Sequence, residues 1–230
     1  MAVSDLGEQH GPDPRARAPT KEQSDKDWSV VETMRADSSA GSWRLAHDVW
    51  GPTEQSYWVV DLRLAAGAYP FSGDWSAGDP APEVLHQALH AGIDVFVNLT
   101  QDDPEVHPQG TDVHLTRYQT VVAGQAEVLA HPIPDMGLPG GGEEEMAGIL
   151  DAIDGVLVDG HNAYVHCWGG LGRTGTVVGC WLRRHGLAGQ DEVLDVVQAL
   201  RLAGCRVGGN RRTPQTPEQC WMVETWEEGR

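Results

Sequence analysis

The sequence is poor in lysine and cysteine and contains no long apolar run. Only Lys21 and Lys26 are lysines, Lys+Arg total 16 against 34 Asp+Glu, and the formal net charge is −18. Binding to nucleic acid or to an anionic membrane requires clustered cations, so this balance argues against both partners. No stretch of about 18 apolar residues is present, and we expect no membrane-spanning helix. The first residues lack the features of a secretory signal, which favours a soluble cytoplasmic protein.

The four cysteines are widely spaced, and no two form a C-x-x-C pair: Cys167, Cys180, Cys205 and Cys220. Such spacing predicts neither a disulfide framework nor a thiolate zinc site. We therefore expect no metal and no other cofactor.

The first 40 residues differ in composition from the rest of the chain. They are rich in Pro, Ser, Asp, Arg and Ala and show almost no apolar periodicity. A segment of this kind cannot bury enough surface to offset the entropy of ordering it. We predict a disordered tail over residues 1–40 and one folded domain over residues 41–228.

Within that domain, strand-like and helix-like apolar patterns alternate. Strands are predicted at 57–64, 93–99 and 163–166, with a weaker one at 127–133. Helices are predicted at 83–90, 143–158 and 173–186, around 193–203, and from the Thr216-Pro217 pair onwards. This alternation predicts an α/β fold with a central, mostly parallel sheet flanked by helices.

The segment with the clearest chemical meaning runs from His166 to Gly175 and reads HCWGGLGRTG. A predicted strand ends there, a glycine-rich loop follows, and a helix begins. Such a loop lets backbone N–H groups surround one anion, and the helix N-terminus adds further donors. Arg173 can hold two phosphate oxygens, and Cys167 lies at the floor of the loop, where positive surroundings favour a nucleophilic thiolate.

This segment resembles the signature of the cysteine-dependent protein tyrosine phosphatase superfamily. The loop that begins with two glycines is similar to that of small dual-specificity phosphatases, including the kinase-associated phosphatase group. Three further segments resemble parts of the same domain: the turn at 66–70 (AGAYP), the strand at 97–99 (VNL) and the general-acid loop at 134–139 (PDMGLP). The resemblance implies a protein tyrosine phosphatase-like fold of dual-specificity size.

The resemblance also implies roles for individual residues. Cys167 would be the nucleophile, Asp135 the general acid, and Thr174 the hydroxyl that assists departure of the thiolate. His166 would brace the loop. The phosphate would be bound by Arg173 and by the loop residues Trp168, Gly169, Gly170, Leu171 and Gly172.

Several assignments stay open on the sequence alone. Asp102 and Asp103 are rivals to Asp135, and Trp168 could either line the mouth of the pocket or pack against the core. Cys205 and Arg211 repeat the Cys-x5-Arg spacing, but a predicted helix precedes them, without the His and without Arg-Thr-Gly. Arginines cluster in that loop (Arg206, Arg211, Arg212), where they either bind a second anion or are simply solvated.

The function expected from these residues is phosphomonoester hydrolysis through a cysteinyl-phosphate intermediate. The substrate would be a phosphotyrosyl protein or peptide, with phosphoserine and phosphothreonine left open. The alternatives are a phosphatase of inositol lipid, nucleotide or RNA 5′-phosphate, and a pseudophosphatase that binds phosphoproteins without cleaving them. The oligomeric state is left open.

Overall fold

The computed structural model describes residues 43–47, 49–71, 82–113, 115 and 117–230. The tail predicted over residues 1–40 lies outside the described residues, and so does the predicted start of the domain at residue 41.

Strands and helices alternate along the described part of the chain, as predicted. The strands are β1 (Ser56–Val60), β2 (Leu64–Gly67), β3 (Val95–Asn98), β4 (Glu127–Ala130) and β5 (Ala163–His166). The helices are α1 (Glu83–His90), α2 (Gln119–Val122), α3 (Gly142–Val158), α4 (Gly172–Arg184), α5 (Val193–Gly204) and α6 (Pro217–Thr225).

The five strands form one sheet in the order β1-β2-β5-β3-β4. The β1–β2 pair is antiparallel, and the other three pairs are parallel. One face packs against α3 to α6 around buried residues such as Val165, Ile149 and Trp181. The opposite face packs against α1 and α2 around residues such as Phe96 and Leu85. The α/β architecture with a central, mostly parallel sheet flanked by helices is therefore confirmed.

The predicted strand over residues 57–64 was wrong in one respect, because it is a hairpin. The chain reverses at 61–63, so that Tyr57 pairs with Ala66 across β1 and β2. The sequence carries no Asn-Gly or Asp-Gly signal there. Instead Leu62, which is exposed, takes a positive φ of 55°. Arg63 then donates to the carbonyl of Leu157 at the end of α3 across 2.6 Å.

Local sequence explains where α6 begins. Thr216 Oγ1 accepts from the N–H of Gln219 across 3.2 Å, and Gln219 Oε1 accepts from the N–H of Thr216 across 3.2 Å. This reciprocal capping box, with Pro217 at the first helical position, satisfies donors that a helix start leaves without partners. The predicted helix start is confirmed, and it lies directly behind the glycine-rich loop.

Candidate active site

The candidate site lies at the carboxyl ends of the parallel strands. Gly67 at the end of β2 and Asn98 at the end of β3 both pair with His166 at the end of β5. The loops that leave these strands therefore start side by side, as is usual for sites in open α/β sheets. Backbone hydrogen bonds extend the alignment, since the N–H of Leu99 donates to His166 O and the N–H of Tyr69 to Trp168 O, both across 2.9 Å.

The glycine-rich loop packs tightly against its neighbours. Gly170 has a φ of 66°, and a Cβ added to it would lie 2.4 Å from the carbonyl carbon of Gly67. Only glycine fits such a position without a shift of backbone. Gly172 begins α4, and its N–H donates to Gln215 Oε1 across 3.0 Å. Close packing is thus a second reason for the glycines, besides the access to backbone N–H groups that the sequence suggested.

Arg173 is the most heavily bonded side chain of the site. Its Nη1 donates to Asp112 Oδ2 across 2.6 Å and to Ile133 O across 3.2 Å. Its Nη2 donates to Asp112 Oδ1 across 3.2 Å and lies 3.0 Å from Asp135 Oδ1. The guanidinium is 1% exposed. One buried cation therefore joins the start of α4, the loop after β3 and the loop after β4.

The surroundings of Arg173 stabilise its charged form. Burial by itself lowers the pKa of the guanidinium, but the hydrogen bonds that it donates to Asp112 and the nearby carboxylates of Asp112 and Asp135 outweigh burial and raise that pKa.

Asp135 lies on an ordered turn. The N–H of Gly137 donates to Pro134 O across 2.9 Å, which closes a four-residue turn with Asp135 at its second position. The Asp135 side chain is 34% exposed to solvent, and its carboxylate contacts Arg173. The structure thus brings Asp135 to the glycine-rich loop.

The two rival aspartates have other partners. Asp102 is buried, and its Oδ2 accepts from Tyr69 Oη across 2.8 Å and from Asn98 Nδ2 across 3.1 Å. Asp103 forms a surface pair with Arg117 at 3.3 Å. These contacts favour a structural role for both residues.

His166 is buried beneath the loop in its neutral form. Its Nε2 lies 2.6 Å from Tyr118 Oη, and its Nδ1 lies 3.4 Å from Cys167 O. A carbonyl only accepts, so Nδ1 carries the proton and Nε2 accepts from the Tyr118 hydroxyl. Burial and the charge of Arg173 outweigh the Cys167 backbone hydrogen bond and lower the pKa of His166 to about 3. This favours a bracing role over proton transfer.

Thr174 and Trp168 differ sharply in exposure. The hydroxyl of Thr174 is buried without a hydrogen-bond partner among the described residues. Trp168 is 56% exposed although it directly follows Cys167, which is 3% exposed. Of the two placements considered for Trp168, packing in the core is therefore wrong, and its side chain lies largely at the surface.

The other cysteines and the arginine cluster lie in different surroundings. Burial raises the pKa of the Cys180 thiol, and burial raises that of Cys205 to about 11. Arg206 lines a separate groove of about 700 Å³ together with Trp50 and His86. The second Cys-x5-Arg spacing, after α5, thus lacks the strand-loop-helix context of the first.

The described residues lack two further features. No helix in the described ranges combines the length and the apolar character needed to cross a membrane. Across the same part of the chain, no three His, Cys, Asp or Glu side chains form a group that could hold a metal ion.

Sequence reasoning missed four residues of the site: Asp112, Tyr118, Gln215 and Gln219. Asp112 and Tyr118 come from the loop after β3, which has no local pattern that points to Arg173 or His166. Gln219 was recognisable as part of a capping box, but its further bond from Nε2 to Gly137 O, at 2.9 Å, was not.

Comparisons with known proteins agree on one group. A family model described as "Polymorphic toxin system, DSP-PTPase phosphatase" matches residues 75–187. A protein of Invertebrate iridescent virus 3, named as a tyrosine phosphatase, is 31% identical over 108 residues, which are 46% of this chain. The match spans only 40% of the length of that viral protein.

Solved structures show the same fold. A mutant form of Tk-PTP is 25% identical, with a TM-score of 0.55 over 75% of this chain and 94% of that one. Kinase associated phosphatase is 19% identical, with a TM-score of 0.51 over 70% of this chain and 83% of that one. With the strand-loop-helix arrangement around HCWGGLGRTG, these similarities support a dual-specificity, protein tyrosine phosphatase-like domain in this chain, and the family model places it over residues 75–187.

Proposed function

We propose that this chain is a protein phosphatase that hydrolyses phosphotyrosine through a cysteinyl-phosphate intermediate. The observation that carries the proposal is the position of Arg173. This buried guanidinium begins the helix after the Cys167 loop, and it reaches Asp135 on the facing loop. We assign the roles of nucleophile, anion-binding cation and proton donor to Cys167, Arg173 and Asp135, which come from the same edge of the sheet.

In the first chemical step, Cys167 Sγ attacks phosphorus as a thiolate. The S–P bond forms while the bond from phosphorus to the ester oxygen breaks, and Asp135 transfers its proton to that oxygen. The backbone N–H groups of the loop, the N-terminus of α4 and Arg173 hold the other phosphoryl oxygens.

In the second step, water attacks the phosphorus of the cysteinyl-phosphate. The Asp135 carboxylate takes a proton from this water, the P–S bond breaks, and inorganic phosphate leaves. Thr174 supports this step because its buried hydroxyl has no other hydrogen-bond partner among the described residues. A buried hydroxyl without a partner is costly, and a thiolate beside it would accept the bond.

Substrate has to displace a protein contact before it can reach Arg173. Both Nη atoms already hold two acceptors each, and Asp135 is the only one of the two carboxylates that is appreciably exposed. We infer that a phosphoryl dianion takes the place of Asp135 on Nη2, whereas Asp112 keeps the guanidinium fixed. The exchange frees Asp135 to face the leaving oxygen.

The rim of the site favours a phosphotyrosyl peptide. The exposed Trp168 can pack against an aromatic leaving group. Inositol-lipid phosphatases of this superfamily place lysines in the loop, where this chain has Trp168 and Leu171. One structure of the same fold, PTPMT1, was solved in complex with PI(5)P, at 14% identity. The lipid, nucleotide and RNA 5′-phosphate alternatives remain as outcomes of the test.

The pseudophosphatase alternative has less support. A module that only binds phosphoproteins would be expected to lack the cysteine, the arginine or the acid. All three residue types are present here, and two of them are in direct contact.

The test is hydrolysis of p-nitrophenyl phosphate at pH 5–7 in the presence of EDTA. We expect wild-type activity, its loss in Cys167→Ser, and retained activity in Cys205→Ser, which alters the second Cys-x5-Arg spacing. Phosphotyrosyl peptide, phosphoseryl peptide and inositol phospholipid are then compared as substrates. Activity that survives in Cys167→Ser would contradict the mechanism. An inactive wild type that still binds phosphopeptide would favour the binding module.

A further inference from the structure

The side chain of Gln219 joins three parts of the candidate site. It is fully buried in the first turn of α6. Its Oε1 accepts from the N–H groups of Gln215 and Thr216, across 3.1 and 3.2 Å. Its Nε2 donates to Gly137 O across 2.9 Å, although Gly137 lies 82 residues earlier in the chain.

On one side this amide supports the acid loop. Gly137 closes the turn that carries Asp135, and the next-to-last residue of that turn, Met136, has a positive φ of 57°. A residue other than glycine in that conformation is strained and needs support from its surroundings. The bond from Gln219 fixes the carbonyl at the end of the turn.

On the other side the same amide lies against the glycine-rich loop after Cys167, which is called the phosphate loop from here on. A Cβ added to Gly172 would lie 3.0 Å from Gln219 Oε1 and 2.8 Å from Gln215 Oε1. Gln215 also accepts the N–H of Gly172. One side chain therefore links the acid loop to the loop that would hold the phosphate, and it fixes the position of the first relative to the second.

We propose that Gln219 is a positioning residue, whose bond to Gly137 O sets the distance between the Asp135 carboxyl and the phosphoryl group. The proposal rests on the proposed function, since it gives Asp135 the role of proton donor. Gln219 itself touches neither substrate nor the reacting atoms. Its effect should appear only where the leaving oxygen needs a proton.

The test compares phenyl phosphate, which has a poor leaving group, with p-nitrophenyl phosphate, which has a good one. Gln219→Glu keeps the acceptor oxygen, and a capping box works with either residue. Its carboxylate cannot donate to Gly137 O, whereas its protonated form can. We expect kcat on phenyl phosphate to fall about ten-fold at high pH, with KM little changed and p-nitrophenyl phosphate much less affected.

Three further variants separate positioning from general damage. Gln219→Met removes the donor without adding charge, so its loss should not depend on pH, and it carries the test if Gln219→Glu does not fold. Gln198→Glu is the matched control for charge. Gln198 accepts the N–H of Thr213, whose hydroxyl donates to Leu171 O, and its hydrogen bonds among the described residues do not involve the acid loop. Adding Gln219→Met to Asp135→Asn should cause no further selective loss.

The outcomes distinguish this proposal from the proposed function. If wild type is active, Cys167→Ser is inactive and the Gln219 variants keep the wild-type ratio of the two rates, the positioning role is wrong and the function stands. A fall in that ratio, restored toward low pH in Gln219→Glu alone, supports the role. An inactive wild type overturns the function on which the proposal rests.

Discussion

Arg173 and Asp112 form a two-point ion pair in the interior of the protein. The two N–O distances are 2.6 and 3.2 Å, and the side chains are 1% and 2% exposed. Asp112 also accepts the N–H of Gln101 across 3.0 Å. The pair therefore anchors the long loop after β3 and fixes the orientation of the guanidinium before any anion arrives.

Asp112→Asn should destabilise the protein strongly. Removal of one partner leaves a buried charge poorly compensated, which typically costs about 3–5 kcal/mol. The measurement is the free energy of unfolding from urea denaturation. A phosphate dianion can supply part of the lost compensation, so added phosphate should raise the Tm of the variant more than that of wild type.

Asp103→Asn is the matched control for this change. Asp103 pairs with Arg117 at the surface, with side chains 27% and 49% exposed, so the loss should be about 1 kcal/mol or less. Equal losses for the two variants would contradict the anchoring role of Asp112.

Tyr118→Phe should lower the reactivity of Cys167. The hydroxyl of Tyr118 fixes the tautomer in which His166 Nδ1 carries its proton toward Cys167 O. Without it the ring can turn or change tautomer, and the support for the loop is lost. We expect slower alkylation of Cys167 by iodoacetamide at neutral pH, and a loss of stability of about 1–3 kcal/mol.

Tyr164→Phe separates these two effects. Tyr164 is also buried against His166, but its hydroxyl donates to Ala68 O across 2.8 Å. Its stability should fall similarly while the alkylation rate stays close to that of wild type. If both variants slow alkylation equally, the bond to Tyr118 is not the cause.

Asp135→Asn should strengthen the binding of inorganic phosphate. The carboxylate occupies Arg173 Nη2 and repels a dianion. Because Asp135 is 34% exposed, solvent screens this pair, and we expect an effect of about 1 kcal/mol, or about five-fold in affinity. The measurement is calorimetric titration in a Cys167→Ser background. Glu144→Gln removes an exposed acid at the start of α3 as the control. Weaker phosphate binding in Asp135→Asn would contradict the inference that a phosphoryl dianion replaces Asp135 on Arg173.

The stability of the protein should fall as the pH drops below about 6.5. The pKa of His166 is lowered from 6.5 to about 3 in the folded state, chiefly by burial. Between these two pH values the unfolded chain therefore binds one more proton than the folded chain. The free energy of unfolding consequently falls by about 1.4 kcal/mol for each pH unit below 6.5. Urea denaturation of wild type and His166→Gln at several pH values should show a steeper decline in wild type.

The fold was largely predictable because its signals are local. The apolar spacing of Met146, Ile149 and Ile153 predicted the buried face of α3, and all three are buried. The capping box at Thr216 marked the start of α6. The hairpin between β1 and β2 was missed because Leu62, rather than a glycine or asparagine, takes the positive φ.

The candidate site was predictable only where the chain itself brings residues together. Cys167 and Arg173 belong to one strand-loop-helix segment, so their proximity follows from local sequence. Asp112 reaches Arg173 across 61 residues, and Tyr118 reaches His166 across 48. Contacts of that kind depend on the sheet order and have no periodic or composition signal.

The most direct test of the account is detection of the covalent intermediate. Wild-type protein is mixed with p-nitrophenyl phosphate, quenched in acid during turnover, digested and examined by mass spectrometry. We predict phosphate on the peptide that contains Cys167, more of it in Asp135→Ala, where hydrolysis of the intermediate is slowed, and none in Cys167→Ser. Rapid turnover with no phosphate on that peptide, or with phosphate on another residue, would contradict it.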